Sequence, residues 1–377
     1  MELRPAQVKQ ALQVAIDVKR PAFVWGPPGI GKSDLIAGIA KENGMELRDV
    51  RLNLMDPTDI KGFPVPDVAK GHMEWLPADF LPHMFIEKEE LVDRDGKIVI
   101  ETATGFVYED GTPYKARVTP KSRGIQRVPN DSKGILFLDE LNQAPPMVQA
   151  AAYQLLLTRK VGNYELPAGW SMLAAGNRQS DRSNAQHMPA ALALRLIHLD
   201  MTVNADDWCE WALNNDDSVP VELLTFIRFR PDLLHKFDPQ QRVSPNPRSW
   251  TFCGNIINKN LPKEVELAMM SGSVGEAEAG EFMAYLEVFR DLPTVDQVML
   301  DPDGTDISDK PSVLFAITGA LAQKTTKDCY PRIKKYIDRM NPEWQVVYTK
   351  DAMRHDRTLT ETKDFQKFAI AHSQLLG

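Results

Sequence analysis

Cysteine is scarce in this chain: three residues in 377, Cys209, Cys253 and Cys329, stand far apart with no Cys-x-x-Cys pair. That spacing signals neither a disulfide framework nor a cysteine zinc site, and it predicts three buried core thiols. Long apolar runs are missing as well. No stretch approaches the ~18 uninterrupted apolar residues of a membrane span. Residues 1–20 instead mix charge with apolar side chains in helical rhythm, so a cytoplasmic protein without a membrane anchor is expected. Positive charge is not in excess either. Lysine and arginine total 44 against 52 acids, a formal net charge of −8, which argues against a protein whose main work is gripping a nucleic-acid backbone. The seven histidines include no His-Glu-x-x-His or other ligand spacing, which removes the usual signature of catalytic zinc. Internal repeats and low-complexity tracts are absent too.

What remains is the composition of a globular protein, 43% hydrophobic and 25% charged, long enough for two or three cores. Within residues 5–19, Val8, Leu12, Ala15 and Ile16 recur at helical spacing. A short buried strand is predicted at Ala22 to Trp25, a glycine-rich turn after it, a helix from Lys32 to Lys41, and a second strand from Glu46 to Leu54. Further apolar runs at residues 134–138, 170–175 and 196–199 complete an alternation of strands and helices. The predicted fold class is α/β, a mostly parallel sheet covered on both faces, with ligands beyond the carboxyl ends of its strands. The stretch from Asp56 to Lys133 is too long for a plain connection and reads as an inserted unit. Its turn pairs Asp95-Gly96 and Asp110-Gly111 flank residues 97–100 and 106–108, so a small antiparallel hairpin or meander is expected. After about Val203 the pattern turns helical, a candidate second domain, and it stays helical from about Glu266 onward except for the acidic loop Asp301 to Asp309.

Gly26-Pro27-Pro28-Gly29-Ile30-Gly31-Lys32-Ser33 matches the P-loop, in which small residues let backbone N–H groups converge on phosphate oxygens at a helix N-terminus. Lys32 is expected to reach the β- and γ-phosphates of ATP, and Ser33 to bind Mg2+ through its hydroxyl. Asp139 and Glu140 end the apolar run 134–138, the Walker B arrangement: Asp139 for the metal, Glu140 to polarise the attacking water. Asn177 follows another strand where an amide would help to hold that water. Arg195 lies in an apolar stretch that contains no partner acid, the setting of an arginine finger. Arg248 stands where two prolines halt the chain before a helix, suited to a second phosphate contact. Each arginine also has an ordinary reading as a surface or ion-pairing residue.

Taken in this order, the segments resemble the AAA+ ATPases, and specifically their MoxR-type branch, over about residues 20–255. The resemblance is carried by the P-loop, by residues 54–62 (Leu-Met-Asp-Pro-Thr-Asp-Ile-Lys-Gly), by 137–144 (Phe-Leu-Asp-Glu-Leu-Asn-Gln-Ala), and by a helix and short hairpin at 147–167. A sensor-1 strand ending Ala175-Gly176-Asn177-Arg178 completes it. It implies a P-loop ATPase core at 1–203 with a hairpin-containing insertion at 56–133. An α-helical lid at 204–290 and a helical extension at 291–377 follow. It places the trans-acting finger on Arg195 and the sensor-2 arginine on Arg248. It further implies ATP with Mg2+, a homo-hexameric ring, and work on a partner protein, such as one carrying a von Willebrand factor A domain. Leu196 departs from the family's usual aromatic after the finger, for which a packing change is expected. Two segments are candidates for client contact, the insertion and the hairpin at 160–167. An alternative reading is a nucleic-acid motor or loader, kept open by Lys115, Arg117, Lys121, Arg123 and Arg127, although such a run is more often a solvated face. A nucleotide-dependent scaffold without turnover is disfavoured by the presence of both Glu140 and Arg195.

Overall fold

A computed structural model describes residues 1–67, 71–92, 97–102, 105–108, 112–114, 120–181, 188–215, 219–238, 241–257, 259 and 261–371. The chain divides into two compact units. The first comprises Met1, Gln7–Gly26 and Lys32–Asp200, and the second Glu2–Ala6, Pro27–Gly31 and Met201–Gly377.

The first unit is built on a parallel sheet. Strands Ile197–Met201, Ala22–Trp25, Trp170–Gly176, Gly134–Asp139 and Glu46–Arg51 lie side by side in that order. Trp170–Gly176 is buried throughout and Gly134–Asp139 up to its last residue, as befits strands covered on both faces. The P-loop strand therefore sits inside the sheet, and its neighbour but one carries the paired acids. Helix Pro5–Asp17 buries Val8, Leu12, Ala15 and Ile16, the four residues whose spacing announced it. The strand expected to reach Leu54 stops at Arg51, because Leu52–Leu54 tightens into a 3-10 turn that buries Leu52. Leu196 is buried in the core of this unit.

The insertion holds more sheet than its turn signals announced. Helix Pro57–Lys61 is closed by an Asp56–Asp59 capping box, and strands Phe63–Asp67 and His72–Leu76 form an antiparallel ribbon after it. A separate antiparallel sheet runs in the order Gly105–Tyr108, Ile98–Thr102, Phe85–Val92, Lys121–Pro129. The turn pairs Asp95-Gly96 and Asp110-Gly111 lie outside the described residues, as do Lys115 and Arg117. Lys121, Arg123 and Arg127 fall on the last strand of this sheet. Helix Pro146–Thr158 ends at Arg159, in a left-handed conformation, and the hairpin Lys160–Val161/Tyr164–Glu165 follows at once.

The second unit is helical from Ala205 onward. Phe226, Trp250, Phe282 and Tyr285 form the aromatic centre of one cluster, and Tyr330, Ile333, Tyr336 and Tyr348 lie in another. Cys209, Cys253 and Cys329 are all free and buried, as their spacing predicted. Among the described residues no helix is long and apolar enough to cross a membrane.

Candidate functional site

The Ala22–Trp25 strand delivers the chain into the glycine-rich loop, which then enters helix Lys32–Glu42. Gly29 and Gly31 carry φ angles of 78° and 89°, a left-handed backbone that side-chain-bearing residues seldom adopt. Lys32 is the first residue of the helix, and its side chain turns back beneath the loop. Its Nζ donates to the Gly26 carbonyl at 2.7 Å and to Asn177 Oδ1 at 2.9 Å. Asn177 is itself 7% exposed, held at the end of its strand by Asn142, whose Nδ2 donates to the Asn177 carbonyl at 2.7 Å.

Ser33 Oγ donates to Asp139 Oδ2 at 2.8 Å, and the other carboxylate oxygen of Asp139 accepts the backbone N–H of Glu140 at 2.9 Å. Asp139 is thereby aimed at the loop, and the backbone turns sharply at Glu140, which adopts φ 54° and ψ 32°. A left-handed non-glycine residue costs on the order of 1–3 kcal/mol and tends to mark functional positions. Asp49, on the adjacent Glu46–Arg51 strand, has its carboxyl raised above the usual range by desolvation and then by the nearby charge of Asp139. A hydroxyl and a carboxylate, with a second acid close enough to feel the first, make a hard-oxygen set that fits Mg2+.

The tip of the loop, Pro27–Gly31, groups with the second unit. There the Gly29 carbonyl accepts the backbone N–H of Arg248 at 3.2 Å, and a Cβ on Gly29 would fall 2.5 Å from Asn246 Oδ1. Asn246 caps the helix Pro247–Ile257 reciprocally with Ser249: the Ser249 N–H donates to Asn246 Oδ1 at 3.0 Å, and the Asn246 N–H to Ser249 Oγ at 2.9 Å. Arg248 is thus presented from a fixed first turn with an exposed side chain.

Of the residues singled out in the sequence, hydrogen bonds join Lys32 to Asn177 and Ser33 to Asp139, with Glu140 next in the chain. Arg195 is exposed, and its side chain makes no hydrogen bond or ion pair with any described residue. Asn142, Asp49, Trp25 and His198 were given no role by sequence reasoning. Their contacts reach far along the chain, and nothing in the linear order marks them.

No family model matches the chain. A curated relative, Midasin of Giardia intestinalis, is 24% identical over 233 residues, covering 59% of this chain and 4% of its own length. The aligned region is therefore a small part of that protein. Among solved structures, a point mutant of Thermotoga maritima RuvB is 12% identical with a TM-score of 0.36, covering 75% of this chain and 70% of its own. NtrX of Brucella abortus is 11% identical with a TM-score of 0.33, covering 100% and 69%. With a P-loop after an inner strand of a parallel sheet, paired acids at the end of a nearby strand and a buried asparagine directly after the strand between them, this chain resembles the AAA+ P-loop ATPases.

Proposed function

We propose that this chain binds ATP with Mg2+ and hydrolyses it at a site completed by a neighbouring copy in a ring, in the manner of MoxR-type AAA+ proteins. The observation that carries the reading is the Ser33–Asp139 hydrogen bond of 2.8 Å, which joins the first turn of the helix after the P-loop to the end of the Walker B strand. The magnesium ion, when bound, supplies positive charge at the phosphate oxygens. Lys32 donates to the β- and γ-phosphates from its buried base, Glu140 polarises the attacking water, and Asn177 helps to orient it. Arg195, exposed and with no side-chain hydrogen bond or ion pair among the described residues, acts on the site of the next subunit. Arg248 adds a contact from residues 204–290, which serve as the lid, while 291–377 form a helical extension.

The work done is remodelling or activation of a partner protein. This is supported by the exposed apolar ribbon of the insertion, where Phe63 is 64% and Leu76 53% exposed at paired register positions. A partner bearing a von Willebrand factor A domain is the first to test. Glu140→Gln is expected to retain Mg·ATP binding and to lower turnover by about 10²-fold or more. Turnover at the wild-type rate in that variant would sink the assignment. Arg195→Ala is expected to lose ~10³-fold in turnover with binding to the isolated subunit unchanged, and to regain activity when mixed with Glu140→Gln subunits. Several-fold stimulation by DNA that disappears at high salt would favour a nucleic-acid motor instead.

A further inference from the structure

Trp25, the residue before Gly26, donates its indole N–H to His198 Nδ1 at 2.8 Å. An imidazole nitrogen that accepts is unprotonated, so the proton of the neutral ring sits on Nε2. That nitrogen lies 2.8 Å from the Ala193 carbonyl and donates to it. The two rings are stacked, with centroids 5.9 Å and planes 20° apart, and Phe23 backs Trp25 at 4.2 Å. The Ala193 carbonyl also accepts the Leu196 N–H at 3.3 Å, closing the turn on which Arg195 stands.

That turn has little rigidity of its own. Its helix, Ala190–Ala193, spans four residues, far below the length at which a helix sustains itself. Pairing of His198 with Phe23 in the parallel sheet fixes where the strand begins. Leu192 and Leu196 anchor the preceding turn in the core, and the bond from His198 to Ala193 adds the polar tie that sets the direction in which it leaves.

We infer that His198 is a positioning residue: through the hydrogen-bonded chain Trp25–His198–Ala193 it holds the Arg195 turn against the strand that enters the phosphate loop. The inference rests on the proposed action of Arg195 in trans. The arginine that a subunit offers its neighbour is thereby held in register with that subunit's own loop. A reacting group displaced by ~1 Å costs on the order of 10²-fold in rate. Loss of this tie therefore lowers turnover while nucleotide binding to the same subunit is spared.

The test uses the full chain and two mixing experiments. His198→Phe keeps a flat ring on Trp25 and removes both hydrogen bonds. It is expected to lower kcat at least tenfold, with ATP affinity of the isolated subunit within twofold of wild type and the thermal midpoint little changed. Mixed with Glu140→Gln subunits, which carry an intact His198 and Arg195, it is expected to recover activity as Arg195→Ala does. A kcat within twofold of wild type overturns the inference. So does a His198→Phe mixture that stays inactive while the Arg195→Ala mixture recovers, since His198 would then serve its own site. If the Arg195→Ala mixture also fails to recover, the trans reading falls, and the inference with it. Should the phenylalanine variant fail to fold, His198→Leu, which also removes both hydrogen bonds, carries the same comparisons.

Discussion

Asp139 divides its carboxylate between Ser33 Oγ and the backbone N–H of Glu140, and the chain takes a left-handed turn at Glu140 itself. Gly176, the last residue of its strand, lets Asn142 and Phe23 approach the backbone closely. A Cβ there would lie 2.1 Å from Asn142 Oδ1 and 2.7 Å from the Phe23 ring. Asn142 is 1% exposed and holds the Asn177 carbonyl, so it has no room to retreat. Gly176→Ala is expected to cost about 1–3 kcal/mol of unfolding free energy in urea, as over-packed cores do, and to lower turnover by displacing Asn177. A variant as stable and as active as wild type would show that Asn142 can move aside. Lys32, Ser33 and Asp139 were legible in the sequence because their chemistry is written as a contiguous motif or at the end of an apolar run. Asn142 was not: it lies inside the segment 137–144, but its partner is 35 positions away and nothing in the linear order assigns it that contact.

Helix Val221–Phe229 and helix Pro342–His355 are joined by the ion pair of Arg228 with Asp351, whose side chains are only 13% and 11% exposed. Arg354 reaches the same carboxylate at 3.5 Å. Asp351→Ala would strand the Arg228 charge in the interior, and an expected loss of roughly 3–5 kcal/mol follows from that uncompensated charge. Arg228→Met combined with Asp351→Leu removes both charges and is expected to restore most of the stability in the same denaturant titration. A double variant no better than Asp351→Ala would mean that the pair is net stabilising. Such a tie spans 123 positions and leaves no local trace, whereas Pro5–Asp17 was readable because its buried face repeats within a single helix. Strands Phe85–Val92 and Lys121–Pro129 escaped for a further reason. The first carries a run of charges, Glu87 to Glu90, and the second spreads Lys121, Arg123 and Arg127 around Gly124, so neither shows the apolar alternation by which a half-buried strand is recognised.

Across the whole molecule the parallel α/β class was legible because strands buried on both faces are written as short apolar runs, each ending where the chain turns polar at the sheet edge. The same depth of burial sets how the folded chain answers to alkaline pH. Burial pushes the Cys209 thiol up to about 11 and that of Cys253 up to about 12, from an ordinary value of roughly 8.5. Burial likewise raises Tyr153 and Tyr336 to about 12, from roughly 10. Below pH 8 the folded and unfolded chains both keep these protons, and the groups contribute no pH dependence. As pH rises past about 9 the unfolded chain releases thiol protons that the folded chain retains. Folding stability then falls by roughly 1.4 kcal/mol per pH unit for each such proton, with the tyrosines adding to the slope above about 10. The thermal unfolding midpoint is therefore expected to be level from about pH 7 to 8, to begin falling near 8.5 and to drop progressively above about 9. Replacing Cys209 and Cys253 by alanine should remove the early part of that drop while lowering the midpoint at pH 7 by the packing lost. A wild-type midpoint that holds from pH 8 to about 11 would mean that the thiols ionise no more readily in the unfolded chain than in the folded one.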